Sequence, residues 1–469
     1  MLKNRFGRGY FFRIALGTIM LAFILSTGAS AQGMTWNVMA GGETPDMAVQ
    51  GMGFYPGIIT INAGDSINWT LVGLEDHTIG FLSSAQAPEP GSPDSLLPKG
   101  ASSYDGTGIT SSGIMQPDQV MSYTLNFTKP GVYTYQCLVH PGMGGVVIVQ
   151  PSGSPYPFTQ EQYAAMGQKE FQADLDAGQK SADNVNLSTS HEVNGTTVWQ
   201  VAVDIPLSMD ADMVLSPKNN SSVTGNAMLN FIGVGKLQVQ VQVSGLVPNS
   251  VHPEHIHAGT CAAGGPITIP LNNLTAGPDG NATSTTIING PPWFTIPSRG
   301  WFINVHRGPT MSDGGATPIS CGDAVKQGAA YMRFKTQNLT IHAGDQVVWT
   351  QMNFMAIHTV SFLVSGQPIP EFILPDLSIN PVAAAPAGND SYDGTGFYNS
   401  GVLQPGQKYN LTFTKPGTYD YRCLIHDEMK MVGNIEVLPS PEPTKTPAVT
   451  VLLTAAVIGM AAMLLRRRK

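Results

Sequence analysis

The chain is short of charge: Asp, Glu, Lys and Arg together make up only 12% of its 469 residues, and aromatics only 8%. No seven-residue apolar period runs through it, which excludes a coiled coil, and no three-residue glycine period, which excludes collagen. Pure disorder is excluded because apolar content reaches 42%. Basic residues are scarcest where a folded body would be. Eight of the 24 Lys and Arg lie in residues 1–31 and 448–469, which carry no acid; the remaining 16 face 32 acidic residues, a net charge of −16. Such a body lacks the basic patches that phosphate binding needs, so nucleic acid is excluded as a partner. What is plentiful is Gly (52) and Pro (35), with many Val and Thr. That mixture predicts an all-β protein of sandwiches with long loops, and the length predicts about three domains.

Both ends read as addresses. Lys3, Arg5, Arg8 and Arg13 flank an apolar run that closes on Ala29-Ser30-Ala31. This is the pattern of a secretory signal peptide over 1–31. At the other end, residues 448–465 are uncharged and mainly apolar, and Arg466-Arg467-Arg468-Lys469 follows. Eighteen such residues just suffice to span hydrocarbon, and the basic cluster belongs on the cytoplasmic side. The expectation is an exported body on the extracytoplasmic face of the membrane, held by one C-terminal helix. The Pro-rich spacer at 439–447 also resembles a sorting signal whose tail is removed by processing.

Inside the body a unit of about 110 residues occurs twice. Ala63-Gly64-Asp65 with Trp69 recurs as Ala343-Gly344-Asp345 with Trp349. Ser103-Tyr104-Asp105-Gly106-Thr107-Gly108 recurs from Ser391 to Gly396, and Phe127-Thr128-Lys129-Pro130-Gly131 from Phe413 to Gly417. The unit is far longer than a solenoid repeat, so it is a duplicated domain. Residues 58–61, 66–70 and 122–127 are short β-rich runs bounded by turn formers. Residues 159–177 predict a helix with capping-box spacing at Thr159 and Gln162 and an apolar stripe of Tyr163, Met166, Phe171 and Leu175; it is expected to be a plain linker. Residues 237–243 alternate Leu/Val with Gln, a half-buried strand.

The four cysteines divide into two pairs. Cys261 and Cys321 lie in the unrepeated middle, where an oxidising compartment favours a disulfide between them. Cys137 and Cys423 occupy equivalent places in the repeat, as Cys137-x-x-His140-x-x-Met143 and Cys423-x-x-His426-x-x-Met429. Each copy also has one His after its Trp strand, His77 and His358. Two imidazoles, a thiolate and a thioether form a soft mixed donor set that selects copper, with His-His-Cys in a plane and Met as weak axial ligand. Structural zinc wants more thiolates or paired histidines. Alternation along residues 132–137 puts Tyr133, Tyr135 and Cys137 on one face, so the strand end delivers the thiolate inward and the short loop brings His140 and Met143 to the same point. In the second copy Met431 also lies near; Gly145 stands at that spacing in the first copy, so Met429 is taken as the ligand and Met431 as packing.

On these residues both repeats resemble cupredoxins, in particular the plastocyanin, pseudoazurin and amicyanin group. The resemblance implies two Greek-key β-sandwiches, one type 1 copper in each, and one-electron transfer. Its copper ligands map to His77, Cys137, His140 and Met143, and to His358, Cys423, His426 and Met429.

The middle segment has its own histidines. His255 and His257 share one strand face, and the strand ending at His306 could approach them. His-x-His-x-Gly-x-Cys from His255 to Cys261, the Val305-His306 pair and Cys321-Gly322 resemble the Cu/Zn superoxide dismutase sandwich and its chordin-type (CHRD) relatives. That resemblance maps a copper onto His255, His257 and His306, without a bridging His or a zinc loop. A structural CHRD-like module, a mononuclear copper site, another metal site and a true dismutase stay open. His252 and His191 are expected at the surface, and His342 as a solvated strand residue.

The division that follows is signal peptide 1–31, first cupredoxin domain 32–151, helical linker 152–185, dismutase-like or CHRD-like β-sandwich 186–326, second cupredoxin domain 327–438, spacer 439–447, and transmembrane anchor 448–469. The expected function is a membrane-tethered blue copper electron carrier, more a carrier than an enzyme, serving a redox partner. The alternative is a copper-dependent oxidoreductase, of multicopper oxidase, nitrite reductase or superoxide-reacting type, that uses the middle histidines.

Overall fold

The structure, a computed structural model, describes residues 33–185 and 190–441. The expected signal peptide and C-terminal anchor lie outside the described residues. Among the described residues no helix is long and apolar enough to cross a membrane.

The first sandwich packs two five-stranded sheets. Thr35–Ala40 lies parallel to Ser66–Leu71, which pairs antiparallel with Ser122–Phe127. In the facing sheet Gly131–Gln136 pairs with Gly144–Gln150, which runs parallel to Ile58–Asn62. Alternation sends Ile67, Trp69 and Leu71 inward on one strand and Leu125 and Phe127 on another. Trp69 sits at the centre, its ring within 5.3–6.4 Å of Phe81, Tyr123, Phe127 and Tyr135. Burying such a ring contributes about 1.5–3 kcal/mol. Trp349 repeats the arrangement with Phe362, Tyr409, Phe413 and Tyr421.

The repeated surface motifs explain themselves as clamps. Asp65 Oδ2 accepts from the backbone N–H of Asn62 and from Trp36 Nε1; Asp345 Oδ2 does the same for His342 and Trp199. Lys129 pairs with Asp105 and Lys415 with Asp393, tying the Tyr-Asp-Gly-Thr-Gly turn to the Thr-Lys-Pro-Gly turn. Gly106 and Gly394 have φ near +90° and lie under Tyr133 and Tyr419, where a Cβ would be 2.5 Å from the ring.

The second sandwich is discontinuous. It opens with the hairpin of His191–Val193 and Thr196–Val203, and Thr196–Val203 lies parallel to Gln346–Gln351 in the register that joins Thr35–Ala40 to Ser66–Leu71. The rest follows only after residue 328, with Val432–Leu438 between Gly417–Arg422 and Asn338–His342. The boundary expected at residue 186 therefore moves to about 205. The middle domain is an insertion after Thr196–Val203, ahead of the strands of the second sandwich that follow residue 328.

That insertion is one antiparallel path of eight strands, from Ile267–Pro270 to Ala282–Asn289. Its two halves enclose a core of Leu215, Leu229, Val239, Val241, Ile256, Ile303 and Val305. The alternating strand Lys236–Ser244 buries Leu237, Val239, Val241 and Val243. Cys261 and Cys321 form a disulfide.

The helix runs from Gln160 to Asn184 with the capping box of Thr159 and Gln162 formed. It is more than a linker. Tyr163 Oη accepts from Thr60 N, Glu170 accepts from Gly57 N, and Asp174 accepts from Tyr55 Oη and from Gly328 N. It thereby braces the first sandwich against the start of the second. Beside it, Val49–Gly51 pairs with Ala329–Tyr331 across the two sandwiches.

Candidate metal centres

Each sandwich brings its expected donors together at one end. In the first, Cys137 follows the strand Gly131–Gln136, and its N–H donates to Met143 O at 2.9 Å, which closes the loop carrying His140. His77 comes from the connection after Ser66–Leu71, pinned by backbone hydrogen bonds with Met115 in both directions. His77 Nδ1 lies 3.0 Å from His140 Nδ1, and Cys137 Sγ lies 3.9 and 3.5 Å from these two nitrogens. The second sandwich repeats this: His358 and His426 Nδ1 are 3.0 Å apart, and Cys423 Sγ is 3.8 and 3.6 Å from them. First-row metals bond imidazole at about 2.0 Å and thiolate at about 2.3 Å, so a trigonal plane separates its donors by roughly 3.5–3.8 Å. In both triads the sulfur–nitrogen distances match that spacing to within a few tenths of an ångström, and the 3.0 Å nitrogen–nitrogen distances are about 0.5 Å shorter than it. The donor chemistry fits copper.

The sulfurs are held from behind. Thr78 N and Thr359 N donate to Cys137 and Cys423 Sγ at 3.3 and 3.4 Å. Thr78 and Thr359 Oγ1 accept from Leu138 and Leu424 N. Burial raises the pKa of both thiols, but the neighbouring imidazoles more than offset it by charge and hydrogen bonding, and hold both well below the ordinary thiol range. Each pocket is thus poised for a thiolate.

The methionine that closes the second loop differs from the sequence expectation. Met143 is fully buried in the cluster that contains Cys137. Its counterpart is Met431, not Met429: Cys423 N donates to Met431 O at 3.0 Å, and Met431 is packed with Cys423 in the core of the second sandwich. Met429 instead packs into the core of the first sandwich. The physical reason is a ligand loop two residues longer in the second copy, with Lys430 at φ 64° turning the chain so that Met431 takes the closing position.

Two acidic residues that sequence reasoning passed over complete the picture. Glu75 is buried between the sandwiches. His140 Nε2 lies 3.0 Å from its Oε1 and His426 Nε2 lies 3.3 Å from its Oε2, an ion-pair contact on each side. One carboxylate therefore joins the outer edges of one ligand imidazole from each site. Burial raises its pKa, and the facing His426 and His140 imidazoles more than reverse this, so it is held well below the usual carboxylate range. The signal in the sequence was the acid doublet Glu75-Asp76 directly before His77, where the second copy has Ala356-Ile357. The second residue is Asp204, fully buried, whose Oδ2 accepts from His358 Nε2 at 3.1 Å. It lies 154 residues before its partner, on the far side of the insertion.

The middle domain also gathers its three expected histidines. One ligand atom from each of His255, His257 and His306 lies within 4.8 Å of the others. His257 and His306 donate from Nδ1 to Gly265 O and Ala316 O, which leaves their Nε2 atoms, 3.3 Å apart, as lone-pair donors. This is how metal-binding imidazoles are commonly oriented. Burial pushes the His306 pKa down to about 4, favouring the neutral ring. His252, expected at the surface, is buried, with Nδ1 donating to His306 O. His191 is exposed and His342 half-buried.

The middle domain also covers the first ligand loop: Ser298 N donates to Gly142 O at 2.7 Å, and Trp293 Nε1 to Ala87 O at 3.1 Å.

Comparison with known proteins agrees with this arrangement. The family described as copper binding proteins of the plastocyanin/azurin type matches residues 44–150 and 320–438, and the CHRD domain family matches residues 205–312. Plastocyanin of Dryopteris crassirhizoma is 31% identical over 87 residues, covering 19% of this chain and 76% of that protein. Amicyanin of Paracoccus denitrificans is 28% identical over 122 residues, covering 26% of this chain and 72% of that protein. The solved oxidised plastocyanin of Dryopteris crassirhizoma is 26% identical, covers 24% of this chain and 99% of that one, and has a TM-score of 0.17. With its donors gathered twice and its relatives in that group, the chain belongs to the copper-binding plastocyanin/azurin family, which it carries in two copies around a CHRD domain.

Proposed function

We propose that the protein is an exported, membrane-tethered electron carrier with two type 1 copper centres. His77, Cys137, His140 and Met143 would hold one ion, and His358, Cys423, His426 and Met431 the other. Bound copper supplies a one-electron couple. The observation that carries the reading is the near-identical His-His-Cys triad in both sandwiches, buried and preset by backbone hydrogen bonds to sulfur. A pocket set this firmly changes little between the two oxidation states. Burial of both ligand loops between domains keeps bulk water away. The terminal segments read from sequence support export and tethering, and a redox partner docks elsewhere on the acidic body.

The test is metallation of the soluble body. Two copper equivalents should bind and give an intense thiolate-to-copper visible band, and Cys137→Ser and Cys423→Ser should each remove about half of it. A colourless protein, or a band unaffected by either change, overturns the reading.

The convergence of His255, His257 and His306 favours a second reading, a copper-dependent oxidoreductase whose middle site reacts with a small oxygen or nitrogen species. Turnover of superoxide, oxygen or nitrite that His255→Ala abolishes, with the visible band intact, would establish it; no turnover favours a carrier.

A further inference from the structure

The two triads are alike, but what touches the remaining nitrogen of their first histidine is not. Strand register makes Gly41 and Asp204 equivalent. Ala40 pairs with Leu71, Val203 pairs with Gln351, and each of these two residues comes directly after its strand. Both have left-handed backbones, φ 72° at Gly41 and 63° at Asp204. In the first sandwich a Cβ at Gly41 would be 2.3 Å from His77 Nε2, and that buried nitrogen has no hydrogen-bond partner. In the second, Asp204 accepts from His358 Nε2 at 3.1 Å. Ile205 N, Tyr331 N and Asn353 Nδ2 also donate to it, so the carboxylate is fixed in place. Asp is one of the few residues besides glycine that take this backbone readily, so the position admits a carboxylate where its equivalent holds a glycine.

We propose that Asp204 makes the two centres unequal, setting the reduction potential of the carboxyl-terminal centre below that of the amino-terminal one. This rests on the reading of both quartets as type 1 copper sites. A carboxylate accepting the far N–H of a ligand imidazole makes that ring more electron-donating and places negative charge near the ion. Both effects stabilise the more highly charged cupric state. His77 receives neither. Glu75 makes the same kind of contact to one ring of each triad, 3.0 Å from His140 Nε2 and 3.3 Å from His426 Nε2, and so does not separate them. Asp76, beside His77 in sequence, accepts from Gln116 and from no ligand ring. An electron added to the pair therefore settles on the amino-terminal centre.

The experiment compares single-centre proteins by spectroelectrochemistry of the visible band: Cys423→Ser retains the amino-terminal centre and Cys137→Ser the carboxyl-terminal one, each with Asp204 in place. The expected difference favours reduction of the amino-terminal centre at least tenfold, which is about 59 mV for one electron. Adding Asp204→Asn to Cys137→Ser should shrink that ratio at least threefold, and Asp76→Asn in Cys423→Ser should not reverse it. Equal or reversed potentials, or an Asp204→Asn centre with an unchanged potential, overturn the inference and leave the copper reading standing. Absence of any band in both single-centre proteins overturns the copper reading, and this inference falls with it. Should Asp204→Asn bind no copper, the comparison of the two single-centre proteins decides alone.

Discussion

Replacing Glu75 with Ala strikes the contact that joins the two sandwiches at their ligand loops. The carboxylate is 4% exposed and faces His140 and His426, which are 6% and 2% exposed. Its removal leaves two imidazole N–H groups buried beside a small void. One unsatisfied buried donor costs about 1–3 kcal/mol, and breaking a buried charged contact costs about 3–5 kcal/mol. The copper-loaded protein should therefore lose about 4 kcal/mol. Glu75→Gln keeps one acceptor oxygen for His140 but turns an amide N–H₂ toward His426, so about half of that loss is expected. Urea unfolding, followed by tryptophan fluorescence and by loss of the visible band, measures both. Flash reduction of one centre followed by re-equilibration measures exchange between centres, which the Ala variant should slow. A loss below about 1 kcal/mol with unchanged exchange would refute the reasoning that this carboxylate couples the domains.

Met431→Leu should alter the visible spectrum and raise the potential of the carboxyl-terminal centre, whereas Met429→Leu, a volume-conserving change in packing, should leave the spectrum alone and cost under about 1.5 kcal/mol; absorption and unfolding of both variants check this. Glu254 is buried in the insertion with Ser284 as partner of one oxygen and none for the other, and burial raises its pKa to about 8. The folded state then holds a proton that the unfolded state has released. Stability should accordingly fall as pH rises from about 4.5 to about 8, by a few kcal/mol; thermal unfolding of metal-free Glu254→Gln across that range should show the slope flattened.

Much of the site was legible because duplication repeats a pattern. His77, Cys137 and His140 recur as His358, Cys423 and His426 at nearly constant spacing, and strand alternation around Cys137 already turned the thiol inward. The rest was hidden for definite reasons. Met429 keeps the sequence spacing of Met143, yet two extra loop residues hand the equivalent backbone position to Met431. Trp199 and its strand carry no motif that links them to a sandwich resuming after residue 328. Asp204 meets His358 only because parallel strand pairing closes over the insertion. Glu75 was visible as an acid next to a ligand, but its second contact, His426, depends on domain packing that no local pattern encodes. The helix was legible by its cap and stripe; its bracing role depended on which sheet edge it met.

The interrupted second sandwich also sets an order of assembly. Residues 196–203 are synthesised early, with Trp199 and Asp204 in place, but the strand they pair with follows only after about 140 further residues. The amino-terminal pocket is complete by residue 150 and can take its ion while its sister is still in pieces. In the interval the inserted domain can fold by itself and hold the two separated parts of its host within reach of each other. Maturation is thus staged along the chain, with the centre carrying Asp204 last to be finished.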